Sequence, residues 1–383
     1  MTGRPDRRRP DSSFWRSVLG AGCLFALTLL VWQCSHREPA QEPDSDGQVK
    51  KIVMGYYPAW KKADFAPTKL RFEYLTHIAH AFTKPDPAGS LVVEGDFLYP
   101  ELVSEAHRWG VKVLLSIGGW GNCEGFPGMA ALPATRAKFI GQVLDFIAAN
   151  RYDGVDIDWE FVSNSTERRD FGYFVKELSD ALKAQAPPLQ LSLAAPAGDY
   201  WARWINFEEL AGFFDFIGFM TYDFHGPWSD HSGHNSPLYL CGGDTCGSLD
   251  DSFRYALSRG IPKDKIIVGL AFYGRSFDAP ELNRPFTKSL SYDYAEVAGL
   301  LAAGWTRLWD DCAQVPIARK PDQSVIISYD DAPSIGAKCR YVLDHDAAGV
   351  MIWELTQDDD SGQPALLKVV GETFAKALQG ERP

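Results

Sequence analysis

Asp153-Gly154-Val155-Asp156-Ile157-Asp158-Trp159-Glu160 is the stretch on which the reading of this chain turns. Its run of Val and Ile reads as a strand, and strand side chains alternate between two faces. Asp156, Asp158 and Glu160 therefore share one face, while Val155, Ile157 and Trp159 share the other. Gathering three acids on one face is opposed by charge repulsion and by loss of water. The pattern points to acid/base chemistry. A solvated edge strand is the plain alternative, and the fully apolar opposite face argues against it.

Similar short apolar runs recur along the chain. They lie at 52–57, 77–82, 111–117, 154–159, 189–194, 216–221, 265–271 and 349–353. Helical patterns separate many of them, at 97–109, 134–150, 170–185 and 249–259. Alternating strand and helix units predict an α/β fold, a (β/α)8 TIM barrel of parallel strands. Arg275 to Lys338 is too long for one connection. It holds its own strand-like piece at 324–329 and a helical piece at 294–303, and reads as a small α+β insertion between strands 7 and 8. The expected division is a targeting segment at 1–34, a linker at 35–49, a barrel from 50–274 and 339–383, and the insertion at 275–338.

The targeting reading rests on Arg4, Arg7, Arg8, Arg9 and Arg16, followed by an uncharged run from Val18 to Trp32. A cleaved signal, a lipid anchor at Cys34 and a retained membrane anchor all fit, and each places the remainder outside the cytoplasm. The net charge of −12 argues against nucleic acid and anionic surfaces as partners. Twelve Trp and 15 Tyr suit stacking on sugar-like rings, although core packing explains most of them singly.

Beyond the targeting segment the cysteines are Cys123, Cys241, Cys246, Cys312 and Cys339. An exported chain meets oxidising conditions. Cys241 with Cys246, and Cys312 with Cys339, are the pairings considered, leaving Cys123 odd. His225, His231 and His234 cluster in a loop with Gly and Pro and superficially suggest metal ligation; a solvated rim loop is the expectation. No metal and no cofactor is expected.

Barrel enzymes carry their chemistry at the C-terminal ends of the strands. Those ends here hold Tyr56, Phe82, Ser116 to Trp120, Asp156 to Glu160, Met220 to Asp223, Tyr273 to Arg275, and Trp353 with Glu354. In Asp153–Glu160, Ser116-Ile-Gly-Gly-Trp120, Met220-Thr-Tyr-Asp223, Tyr273-Gly-Arg275 and Gly349-Val-Met-Ile-Trp353, all in order, the chain resembles glycoside hydrolase family 18, the chitinase family. Ser328-Tyr-Asp-Asp331, with Ser334 and Lys338, resembles the end of that family's insertion. The likeness covers about residues 50–375. Phe161 and Val162 depart from the Tyr and Pro common after the catalytic Glu, and the polar 163–169 segment reads as a short loop; both bear on substrate preference.

The resemblance implies a glycosidase cutting β-1,4 bonds between N-acetylglucosamine units, with the substrate's acetamido group as nucleophile. Glu160 is then the general acid/base, Asp158 orients the acetamido N–H, Asp156 supports Asp158, and Tyr222 and Asp223 complete the catalytic set. Tyr56, Phe82, Gly119, Trp120, Met220, Tyr273, Arg275 and Trp353 line the sugar cleft. The partner implied is an oligo- or polysaccharide containing N-acetylglucosamine, met by a monomer. Two alternatives are an endo-β-N-acetylglucosaminidase and a lectin on a dead scaffold; intact Asp158 and Glu160 weigh against the lectin. Asn164-Ser165-Thr166 is a glycosylation sequon that matters only in a eukaryotic secretory host.

Overall fold

The computed structural model describes residues 51–358 and 365–378, so the expected targeting segment and linker lie outside it. Eight parallel strands form the core: β1 (Ile52–Pro58), β2 (His77–Pro85), β3 (Lys112–Gly118), β4 (Gly154–Asp158), β5 (Gln190–Pro196), β6 (Phe216–Met220), β7 (Ile266–Ala271) and β8 (Gly349–Trp353). Each pairs with its sequence neighbours, β8 pairs with β1, and the sheet closes as a barrel. All eight strands expected from the apolar runs are present, with shifts of a few residues at most at either end.

Closure produces two apolar layers. Val155, Ile157 and Trp159 of the acidic segment face outward into the cluster beneath the helices, with Phe126, Phe171 and Phe174. Met54, Tyr56, Ala79, Leu114, Phe216, Ile267 and Met351 fill the barrel interior. The period-two reading of Asp153–Glu160 thus holds: its apolar half packs against helices and its acids point into the barrel.

Helices α1 (Pro100–Arg108), α2 (Pro133–Asn150), α3 (Ser165–Lys183) and α4 (Leu249–Ser258) return the chain between strands. Proline at the first turn starts α1 and α2, where its missing N–H costs nothing. Left-handed Arg151 ends α2 and turns the chain toward β4. Helix α3 begins five residues before the expected Asp170. Asn164 caps it, its Oδ1 accepting the N–H groups of Thr166 and Glu167 at 3.0 Å each. The segment read as a polar loop is therefore mostly the first turn of α3.

Between β7 and β8 stands a five-stranded antiparallel sheet, Ser289–Asp293, Tyr273–Phe277, Ile326–Ser328, Val315–Arg319 and Thr306–Asp310 in spatial order, with helix α5 (Tyr294–Ala302). This is the α+β insertion. Its sheet already takes in Tyr273, directly after β7, whereas α6 (Ala332–Asp344) leads back into β8. Buried Lys338 on α6 joins the two parts: its ammonium donates to Asp330 at 2.6 Å and to the Ser236 hydroxyl at 2.8 Å. Helix α7 (Ala365–Leu378) follows β8.

The disulfide differs from both pairings considered. Cys241 bonds Cys312, with Cα atoms 6.0 Å apart, a normal bridge span. Cys339 is buried in the core on α6 and is not bridged. Cys246 is exposed, and Asp244 Oδ1 accepts its N–H at 2.9 Å. Cys123, Cys246 and Cys339 are free thiols.

Candidate active site

Barrel register assembles the acids before any side chain is considered. Ser116 on β3 lies level with Asp156 on β4, and Asp156 lies level with Ser192 on β5. Both serines donate to the Asp156 carboxylate, at 2.8 and 2.6 Å, and the Tyr56 hydroxyl from β1 donates at 2.8 Å. Asp156 is wholly buried and spends its oxygens on these three hydroxyls. Burial raises its pKa, and the three donors oppose the rise.

One step nearer the mouth, Gly118 lies level with Asp158. Asp158 is 3% exposed, and its Oδ1 has no hydrogen-bond partner. Burial, then the charges of Glu160 and Asp156, hold its pKa well above the ordinary carboxylate range. The strand ends there, and half-buried Glu160 sits two residues on. Burial first, and Asp223 second, push Glu160 up to about 7, against a backbone hydrogen bond from Trp120. Coupled carboxylates of this kind share protons as a set.

The loop after β3 is shaped to reach these acids. Gly118 and Gly119 both have positive φ; a Cβ at Gly118 would lie 2.1 Å from the Asp158 carbonyl oxygen, and one at Gly119 would lie 2.4 Å from the Phe82 ring. Gly119 N–H donates to the Asp158 carbonyl at 2.8 Å. Cys123, left unassigned by the sequence, is part of this support: its sulfur accepts the Glu160 N–H at 3.1 Å.

On the other side, Asp223 adopts a left-handed backbone, φ 58°, which Asp tolerates better than most residues. Arg275 grips its carboxylate with two N–H bonds at 2.8 and 2.9 Å, and Asn235 Oδ1 accepts its N–H at 3.2 Å. The guanidinium lies 5.2 Å from the ring centres of both Trp228 and Tyr273. Tyr222 meets Tyr273 edge to face at 6.1 Å. Burial and the surrounding carboxylates hold the Tyr222 phenol well above its usual pKa, so it is a neutral donor.

Trp353 sits at the mouth of the barrel, its ring 5.3 Å from Tyr56 and stacked at 5.7 Å on Phe82. Among the expected cleft residues, Tyr56 is buried beneath this layer and supports Asp156 instead of lining the cleft. Met220 is half-buried beside the barrel interior, and Tyr273 is buried against Arg275. Trp120 is 77% exposed, so it is not a core residue. Trp60, Trp228, Asn235 and Ser192 belong to these surroundings and were not singled out from sequence; only Ser192, inward-facing by strand alternation, carried a signal that could have found it.

The histidine loop departs from the solvated rim expected of it. His225 and His234 are 1% and 6% exposed, and only His231 is partly open. His234 is tied into the insertion by contacts of 3.1 Å with Ser328 and Asp310.

A barrel with paired carboxylates at its mouth, aromatic surroundings and an insertion after β7 defines a glycosidase scaffold. The model of glycosyl hydrolases family 18 matches residues 52–358, and the chain belongs to that family, among its chitinase-like glycosidases. It is 31% identical to chitinase 1 of Aphanocladium album, over 88% of each chain. It is 36% identical to a probable endochitinase of Caenorhabditis elegans, over 65% of this chain and 44% of that one. In structure it resembles catalytic domain 2 of the Ostrinia furnacalis group II chitinase, with a TM-score of 0.80, 26% identity, and coverage of 87% and 98%. Some relatives are much longer: the chain spans 16% of a Drosophila melanogaster chitinase and 56% of a Niallia circulans one.

Proposed function

We propose that this protein hydrolyses β-1,4 bonds between N-acetylglucosamine units of chitin or chito-oligosaccharides, with retention, by a substrate-assisted mechanism. The observation that carries this is the ladder of Asp156, Asp158 and Glu160, in which the outermost acid is poised to hold a proton near neutral pH. Glu160 donates that proton to the glycosidic oxygen as its bond to the anomeric carbon breaks. The acetamido oxygen of the same sugar closes on that carbon, giving an oxazolinium ion. Asp158, with an oxygen left free of protein donors, holds the acetamido N–H. The Tyr222 hydroxyl donates to the acetamido oxygen. Glu160, now a carboxylate, takes a proton from water as that water opens the ring from the face the leaving group left. Trp353 forms the floor beneath the sugar, and Trp120, with Phe82 behind Gly119, offers the stacking wall.

Relatives named as chitinases support this substrate, as does the structure of a mutant of the Ostrinia furnacalis group II chitinase catalytic domain 2 in complex with a chito-oligosaccharide. The protein is proposed to act as a monomer outside the cytoplasm, delivered by the segment before residue 50. No helix among the described residues is long and apolar enough to cross a membrane.

The test is cleavage of N-acetylglucosamine oligomers by the wild type and by Glu160→Gln, with cellulose oligomers as control. Cleavage confined to the acetylated oligomers, with kcat lowered roughly 10²–10⁴-fold in the variant, is the expected result. Binding without cleavage by the wild type contradicts the enzymatic reading.

A further inference from the structure

The rim loop that follows Asp223 brings four possible metal ligands to one point. His225, His231, Asp244 and Cys246 each offer a ligand atom, and all four atoms lie within 4.8 Å of one another. The tautomers follow from outer contacts. His225 Nδ1 lies 3.1 Å from the His234 carbonyl oxygen, which can only accept, so Nδ1 carries the proton. His231 Nδ1 is hydrogen-bonded to the Asp230 carboxylate, with the same consequence. Both imidazoles then present the lone pair of Nε2, and these two atoms face each other at 3.3 Å. Asp244 Oδ2 lies 3.3 Å from His225 Nε2, while its Oδ1 is occupied by the Cys246 N–H. Two lone pairs and a carboxylate oxygen converging in this way repel one another unless a proton or a metal cation sits among them, and a cation can take all of them at once.

We propose that His225, His231, Asp244 and Cys246 form a binding site for a divalent zinc-like cation. Tetrahedral zinc with bonds of about 2.0–2.1 Å to nitrogen and oxygen needs those ligand atoms roughly 3.3 Å apart, which is the spacing of His225 Nε2 from both His231 Nε2 and Asp244 Oδ2. Two nitrogens and a sulfur favour zinc over calcium or magnesium, which take oxygen. The carbonyl behind His225 and the carboxylate behind His231 are the outer partners that metal-bound histidines use. His225 is buried against Gly233, where a Cβ would lie 2.3 Å from its ring, so one ligand is fixed in place. Exposed Cys246 and partly exposed His231 give the ion a path in. The cation ties together the two arms of the loop, residues 224–231 and 241–247. That loop also carries Trp228, under Arg275, and Asn235, on the Asp223 N–H. The proposed role is structural, and it is separate from the acid ladder.

The full-length protein is stripped with chelator, then titrated with Zn²⁺ and, separately, with Co²⁺. The expected result is about one zinc per chain, a rise in Tm on zinc addition, and a thiolate-to-cobalt charge-transfer band in the near ultraviolet. Cys246→Ser abolishes the band, and both it and His231→Ala weaken zinc binding at least about tenfold. These two positions are open to solvent, and circular dichroism checks that each variant is folded. Glu160→Gln leaves zinc binding and the band unchanged. The proposal is overturned if the wild type shows no saturable zinc binding. It is equally overturned if Cys246→Ser and His231→Ala bind like the wild type, which would place the metal elsewhere.

Discussion

Glu160 meets two opposed demands, and its pKa expresses both. In its proposed role as general acid it must keep its proton near neutral pH, which burial and the neighbouring Asp223 charge favour. The same burial weakens the fold. The unfolded chain releases this proton near the ordinary value of 4.5, the folded chain near about 7. Between those values the folded state binds more protons, so stability is lost as pH rises through the window. The shift corresponds to on the order of 3 kcal/mol. Two consequences follow from one titration. First, kcat/KM falls as pH rises through about 7, because the acid is deprotonated. Second, the Tm of Glu160→Gln exceeds that of the wild type by more at pH 8 than at pH 5, read by thermal melts. A gap independent of pH would contradict the assigned cause. Legibility at this scale was uneven. The acids were plain because period-two alternation places them without tertiary knowledge. Tyr56 was assigned to the cleft, since sequence cannot distinguish a tyrosine facing the ligand from one buried beneath the layer that does.

The elements around the site are held by a few polar ties across the barrel and insertion. Lys338 on α6 is one such tie, and its burial makes it costly to disturb. It and Asp330 are both fully buried, 2.6 Å apart. Lys338→Met leaves the Asp330 carboxylate unpaired in the core, and the expected loss is roughly 3–5 kcal/mol by denaturant unfolding. Adding Asp330→Asn should recover much of that loss. A double variant as unstable as the single one would show that packing at α6, not the charge, is at stake. Element identities were readable because apolar runs and helical periods are local. The start of α3 was missed because the decisive signal is one side chain, Asn164, whose capping role shows only once the backbone turns around it. The insertion's outer edge was blurred for a related reason: α6 begins inside the expected insertion, as a barrel helix continuous with it in sequence.

Over the whole molecule, the barrel sets the catalytic face and the insertion stands beside it, held by long-range links that no local pattern announces. The Cys241–Cys312 bridge spans 71 residues, from the rim loop to the turn after the last-ranked strand of the insertion sheet. Closing a loop of that length is worth about 4 kcal/mol in the chain-entropy account. Cys312→Ser should lower Tm in oxidising buffer, and reductant should lower the wild type to a similar value while leaving the variant unmoved. Equal melting of both proteins without reductant would rule out the bridge as a stabilising link. Its partners escaped sequence reading because Cys246 is near Cys241 along the chain, whereas Cys312 is near it only in the fold. The histidine loop was misread for the same reason, as its burial depends on the insertion packing over His234.

In the proposed mechanism the substrate's own acetamido group, positioned by Asp158, does the work of the nucleophile. That role is tested most directly by following the first product of chito-oligomer cleavage by proton NMR, with fully acetylated and with deacetylated substrates. With acetamido participation the newly formed end appears first as the β anomer, and deacetylated oligomers are not cut. An initial α anomer, or comparable cleavage of deacetylated chains, would contradict it.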